Sequence, residues 1–132
     1  MAEFIFKELV REAELQEEFA ISSASVSYEE EGNGIYPPAA STLKRHGIPF
    51  GGHRAHRITA EEYKAADLVI VMDNSNLRLL ERICGPDETG KVHKLMEFCG
   101  SPADVADPWY SGDFEQAYVD IHKGCEALLK TL

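Results

Sequence analysis

Four consecutive residues, Asp107-Pro108-Trp109-Tyr110, are the densest run of chemistry-bearing groups in the chain. Proline fixes its own φ and disfavours helical geometry at the residue before it, so Asp107 is set on a turn. A carboxyl presented on a turn can act as a general acid, and two aromatics beside it can wall a slot for a flat ring. The same residues also suit a turn whose aromatics cover the edge of a core, where large aromatic side chains commonly pack. The tetrapeptide alone leaves both readings open.

A second cluster is His46, His53 and His56. A metal site wants converging ligands, often with carboxylate or thiolate company. His46 ends a stretch that reads as a helix, where a cation is favourable. His53 and His56 sit among Arg54 and Arg57, whose charges disfavour a dication. No metal and no other cofactor is expected.

The cysteines are Cys84, Cys99 and Cys125, with no CxxC pair among them. A cysteine phosphatase needs a thiolate at a helix N-terminus, in a loop of backbone amides closed by an arginine six residues on. Six residues beyond the three cysteines lie Gly90, Val105 and Thr131. Cys125 falls inside an amphipathic pattern and reads as core. Cys84 comes just before a helix stop, where the dipole raises a thiol pKa. None of the three reads as a nucleophile.

The elements that must position these groups alternate in type. Residues 2–15 read as a helix, with Ile5, Leu9 and Ala13 on one face. Residues 19–25 read as a short strand, followed by a polar, glycine-containing loop. Pro37-Pro38 opens a helix that runs to about His46 and stops at Gly47. Thr59 with Glu62 forms a capping box for a short helix. The apolar run 67–73 reads as a parallel strand buried on both faces. A helix then starts at a cap on Asn74 or Ser75 and stops at Gly85. Residues 91–98 are a third strand candidate. The last helix runs from about Asp113 to Leu129, with Phe114, Tyr118, Ile121, Cys125 and Leu128 on one face.

This order predicts a single α/β domain over residues 1–132, with helices packed on a parallel sheet. Helix 2–15 should be a crossover with a strand before it, so a first strand is expected to be missing. With 44% apolar residues the chain has material for a core. Thirteen Lys+Arg against twenty-three Asp+Glu give a formal charge of −10, which argues against nucleic-acid and anionic-membrane partners. No apolar run reaches the length of a membrane span, the N-terminus does not read as a signal peptide, and free thiols suit a cytoplasmic protein.

Taken in order, these segments resemble the low-molecular-weight protein-tyrosine phosphatases over essentially the whole chain. MAEFIFKELV looks like the family's first helix, and ISSASVSYEEEGNGIYPPAASTLKRHGIP resembles its second strand, variable loop and second helix. GHRAHRIT, ADLVIVMDNSNL and DPWYSGDFEQAY match later blocks in order and spacing. The resemblance implies a three-layer α/β sandwich of the phosphotyrosine phosphatase type, and hydrolysis of phosphotyrosine in protein substrates through a cysteinyl-phosphate. It implies that Asp107 is the general acid and that Trp109 and Tyr110 wall the aryl slot. It also implies that Ser23, His53 and Asp73 brace the catalytic loop.

The family's first strand and Cys-x5-Arg loop, ending in Ser-Pro, precede the block that starts here at Met1. A chain truncated in this way is expected to be inactive, and to fold only by oligomerising, exchanging a segment or pairing strands differently. The competing expectations are a non-catalytic relative that binds or assembles, an arsenate reductase and a phosphoarginine phosphatase. An arsenate reductase wants a close pair of extra cysteines, whereas Cys84 and Cys99 are fifteen residues apart. The aromatics after Asp107-Pro108 favour tyrosine over arginine.

Overall fold

The computed structural model describes residues 1–27, Gly32, 34–51, 55–106 and 108–132. Helix α1 (Ala2–Glu12) buries Phe4, Ile5, Phe6 and Val10. It stops at Glu12, short of residue 15, because Glu14 takes a φ of 60°, a left-handed conformation that no α-helix continues through. Helix α2 (Pro37–Arg45) has proline in its first turn and Lys44 and Arg45 in its last, each where the backbone's unpaired groups favour it. Helix α3 (Ala60–Ala65) has the full capping box: Glu62 N–H donates to Thr59 Oγ1 at 3.1 Å, and Thr59 N–H to Glu62 Oε1 at 3.0 Å.

Strands β1 (Val69–Val71) and β2 (Val92–Lys94) run parallel, with Val69 opposite Val92, Ile70 opposite His93 and Val71 opposite Lys94. Helix α4 (Asn74–Cys84) connects them and ends at Gly85, whose φ of 84° suits glycine. Its N-cap is Asp73, not Asn74 or Ser75. β2 is shorter than the sequence pattern, because residues 95–99 tighten into a 3₁₀ turn (Leu95–Cys99). Helices α5 (Pro108–Ser111) and α6 (Phe114–Thr131) complete the chain, and Asp113 caps α6 by accepting the Gln116 N–H at 2.9 Å.

Residues 19–25 do not form the expected strand. Ile21, Ser23 and Ser25 are half-buried and alternate with exposed Ser22 and Ala24, the period of a strand. Among the described residues, however, only Arg57 and its neighbours come alongside, in a single parallel bridge at Ser25. A ladder needs a partner along its length, and here the partner is one residue long. β1 is likewise less enclosed than its apolar run suggests: Val71 is buried, while Val69 and Ile70 are half-buried.

Helix α6 packs on α1, on α2 and on the turn that follows β2, while α3 packs on α4 and α4 on β1. The core between them is built on Ile5, Val10, Leu43, Leu95, Ile121 and Cys125. No described helix is long and apolar enough to cross a membrane.

Candidate active site

Ligands of open parallel sheets bind beyond the carboxyl ends of the strands, where the connecting loops gather. At that end of β1 the chain is tightly fixed. The Asp73 carboxylate accepts the Asn76 N–H at 2.7 Å, and Asn76 Oδ1 accepts the Met72 N–H at 3.1 Å. The Met72 carbonyl accepts the Val105 N–H at 2.9 Å. Val105 is itself in the core, at 3% exposure. The loop that carries Asp107 therefore leaves from the end of β1, beside the turn that Asp73 caps.

Asp107 and His53 lie outside the described residues. Trp109 and Tyr110 fall within α5, where backbone alone is described. The Gly112 N–H donates to the Pro108 carbonyl at 2.8 Å and closes that turn before α6 begins.

Ser23 is held from helix α1. Its Oγ donates to Glu3 Oε1 at 2.5 Å, while Glu3 Oε2 accepts Lys7 Nζ at 2.6 Å. Ser23 is thus tied to the first turn of α1, and among the described residues no hydrogen bond joins it to Asp73. Two contributors went unread in the sequence. Glu3 receives Ser23 from twenty residues away. Ser25 Oγ donates to the Ser27 carbonyl at 2.7 Å and to the His56 carbonyl at 3.1 Å, which holds the start of the variable loop against residues 56–58. Nothing in local periodicity marks either contact.

Of the three clustered histidines, His46 and His56 are described, and each has a carboxylate partner. His46 caps α2, hydrogen-bonds Glu115 at 2.8 Å and lies flat on Tyr118. His56 hydrogen-bonds Glu62 at 2.8 Å. That contact, followed by the Thr59 N–H, holds the Glu62 carboxyl below its usual range. Among the described residues no group of three or more His, Cys, Asp or Glu could hold a metal ion.

Cys125 and Cys84 are poor nucleophiles. Burial pushes the Cys125 thiol up to about 12. Burial also raises Cys84, only partly offset by Arg57 and Lys91, and Cys84 ends α4 where the dipole opposes a thiolate.

The family model for "Low molecular weight phosphotyrosine protein phosphatase" matches residues 1–132. The low molecular weight protein-tyrosine-phosphatase YfkJ of Bacillus subtilis is 31% identical over 134 residues, covering 100% of this chain and 86% of that protein. The crystal structure of YfkJ superposes with a TM-score of 0.93, covering 98% of this chain and 83% of that one. The human low molecular weight phosphotyrosine protein phosphatase is 35% identical over 137 residues, 98% of this chain and 85% of that protein. A Drosophila arginine phosphatase structure matches at 30% identity with a TM-score of 0.87, covering 98% of this chain and 87% of that one. An α/β fold with a parallel pair of strands, a capped turn at the end of β1 and a match along the whole length agree in one assignment: the chain belongs to the low molecular weight phosphotyrosine protein phosphatase family.

Proposed function

We propose that this protein's catalytic reaction is the hydrolysis of phosphotyrosine in protein substrates, with Asp107 as the general acid and Trp109 and Tyr110 as the walls of the aryl slot. A cysteine thiolate attacks phosphorus, the P–O bond to the phenol breaks, and Asp107 delivers its proton to the departing oxygen. Water then attacks the cysteinyl-phosphate, Asp107 takes a proton from it, and inorganic phosphate and the thiolate are released. Ser23, His53 and Asp73 serve as braces for the catalytic loop. The observation that carries the reading is the Val105–Met72 hydrogen bond, which starts the Asp107 loop at the carboxyl end of β1 within a chain matched over its whole length.

No cysteine in residues 1–132 is followed six residues later by arginine, so this stretch alone supplies neither nucleophile nor phosphate clamp. By itself it is inactive, and it associates with copies of itself through the half-satisfied edge at residues 19–25. The reaction uses no cofactor and belongs in the cytoplasm, where thiols stay reduced.

The Drosophila arginine phosphatase similarity supports a second reading, hydrolysis of phosphoarginine. A comparison of phosphotyrosine and phosphoarginine peptides as substrates separates the two.

The test of the acid uses an enzyme in which a strand and Cys-x5-Arg loop are joined ahead of Met1. Asp107→Ala should slow phenyl phosphate turnover by about 10²–10⁴-fold. Turnover of p-nitrophenyl phosphate, whose leaving group needs little protonation, should fall far less. Equal losses on both substrates would remove Asp107 from the role.

A further inference from the structure

Lys94, the last residue of β2, is buried at 9% exposure. A lysine ammonium at that depth must be paired, because an unpartnered buried charge is costly. It has two partners: Nζ donates to the Pro102 carbonyl at 2.7 Å and to Asp104 Oδ1 at 2.8 Å. Both belong to the loop that leads to Asp107.

The Asp104 carboxyl also lies near the start of α4, whose first residue is Asn74. Lys94 chiefly, with Asn74 and the charge of Arg78, holds that carboxyl below its ordinary range. One residue later the Val105 N–H binds the Met72 carbonyl, and its side chain enters the core. Pro102 and Asp104 thus moor the loop to the end of β2 and Val105 moors it to the end of β1, and Asp107 follows three residues after Asp104.

Stability is a poor reason for this lysine. Desolvating an ammonium offsets most of what its pairing contributes, and an apolar side chain of similar volume could fill the site as well. What an apolar residue could not do is hold a carbonyl eight residues and a carboxylate ten residues further along the chain. We infer that Lys94 is a positioning residue for the general acid: its ammonium fixes the loop 102–105 and so the point from which Asp107 is presented. The inference rests on the proposed role of Asp107. Lys94 itself transfers no proton and touches no substrate.

The test uses the same joined enzyme with Lys94→Met, Lys94→Arg and Asp104→Ala, and Asp107→Ala as comparator. Misplacing a catalytic group by about 1 Å can cost up to about a hundredfold in rate. Lys94→Met and Asp104→Ala should lower kcat on phenyl phosphate about tenfold or more. KM should hold on both substrates, and p-nitrophenyl phosphate should be nearly unaffected. Lys94→Arg should recover most of the loss. Asp104 is more exposed than Lys94, so its variant folds even where Lys94→Met does not. Equal losses on both substrates in folded variants, or no loss, would overturn the inference. A second readout is independent of Asp107: hydrogen exchange of the Val105 amide in residues 1–132, relative to the β1–β2 ladder. It should speed up in both variants. Unchanged exchange there would overturn the hold of Lys94 on the loop even if Asp107 proves to be the acid. Faster exchange with equal kinetic losses for Asp107→Ala would instead place the failure in the assignment of the acid.

Discussion

Leu95 and Gly124 meet so closely that a Cβ on Gly124 would lie 2.5 Å from Leu95 Cγ. This contact seats α6 on the turn that follows β2, one residue past Lys94. Leu95 is 1% exposed, so it sits in the core rather than at the surface. Gly124→Ala gains about 1 kcal/mol of helix propensity but overpacks the core, which typically costs about 1–3 kcal/mol. A net loss of about 1 kcal/mol is expected in urea denaturation, and Leu95→Val should relieve part of it. A higher midpoint for Gly124→Ala would mean that Leu95 gives way freely.

Glu115 joins α6 to α2, through His46 at 2.8 Å and Arg45 Nη2 at 2.5 Å. Those contacts, His46 first, hold its carboxyl below the usual range. A depressed carboxylate stabilises the fold at pH above its unfolded value, about 4.3, and that contribution disappears as pH falls through the folded value. The Tm difference between wild type and Glu115→Gln should therefore shrink as pH falls below about 4. A difference that persists unchanged at pH 3 would assign the effect to packing rather than charge.

In the joined enzyme, Trp109→Ala should lower kcat/KM for a phosphotyrosine peptide by about tenfold, the scale of losing one aromatic stacking contact. Phosphoserine, with no ring to stack, should be a poor substrate for both forms. Wild-type preference for phosphoserine, or indifference to Trp109→Ala, would remove Trp109 from the slot.

Residues 1–132 should run above monomer mass in light scattering, because in the stretch 19–25 Ser25 alone makes a strand bridge among the described residues. A monomer at all concentrations would show that the single bridge suffices.

Much of the fold was legible because it rests on local patterns. The Thr59–Glu62 box, the apolar run at β1 and the glycine stop after Cys84 all act within a few residues. The cap of α4 was read one or two residues late, since Asp73, Asn74 and Ser75 can each cap a helix and only backbone geometry chooses among them. The strand at 19–25 was over-read, because alternation marks a two-sided environment but not a partner. Of the proposed site residues, Asp107, Trp109 and Tyr110 stand out by type and order. The groups that anchor their loop do not: Lys94 reaches Asp104 across ten residues and Ser23 reaches Glu3 across twenty, spans that no period encodes.

The most direct measurement is turnover of p-nitrophenyl phosphate by purified residues 1–132, alone and with a Cys-x5-Arg loop joined ahead of Met1. Residues 1–132 alone should not exceed the buffer blank, and the joined enzyme should turn over substrate and lose that activity when its loop cysteine is changed to serine. Metal-independent turnover by residues 1–132 that disappears on substitution of Cys84, Cys99 or Cys125 would contradict the account, as would a folded joined enzyme with no activity.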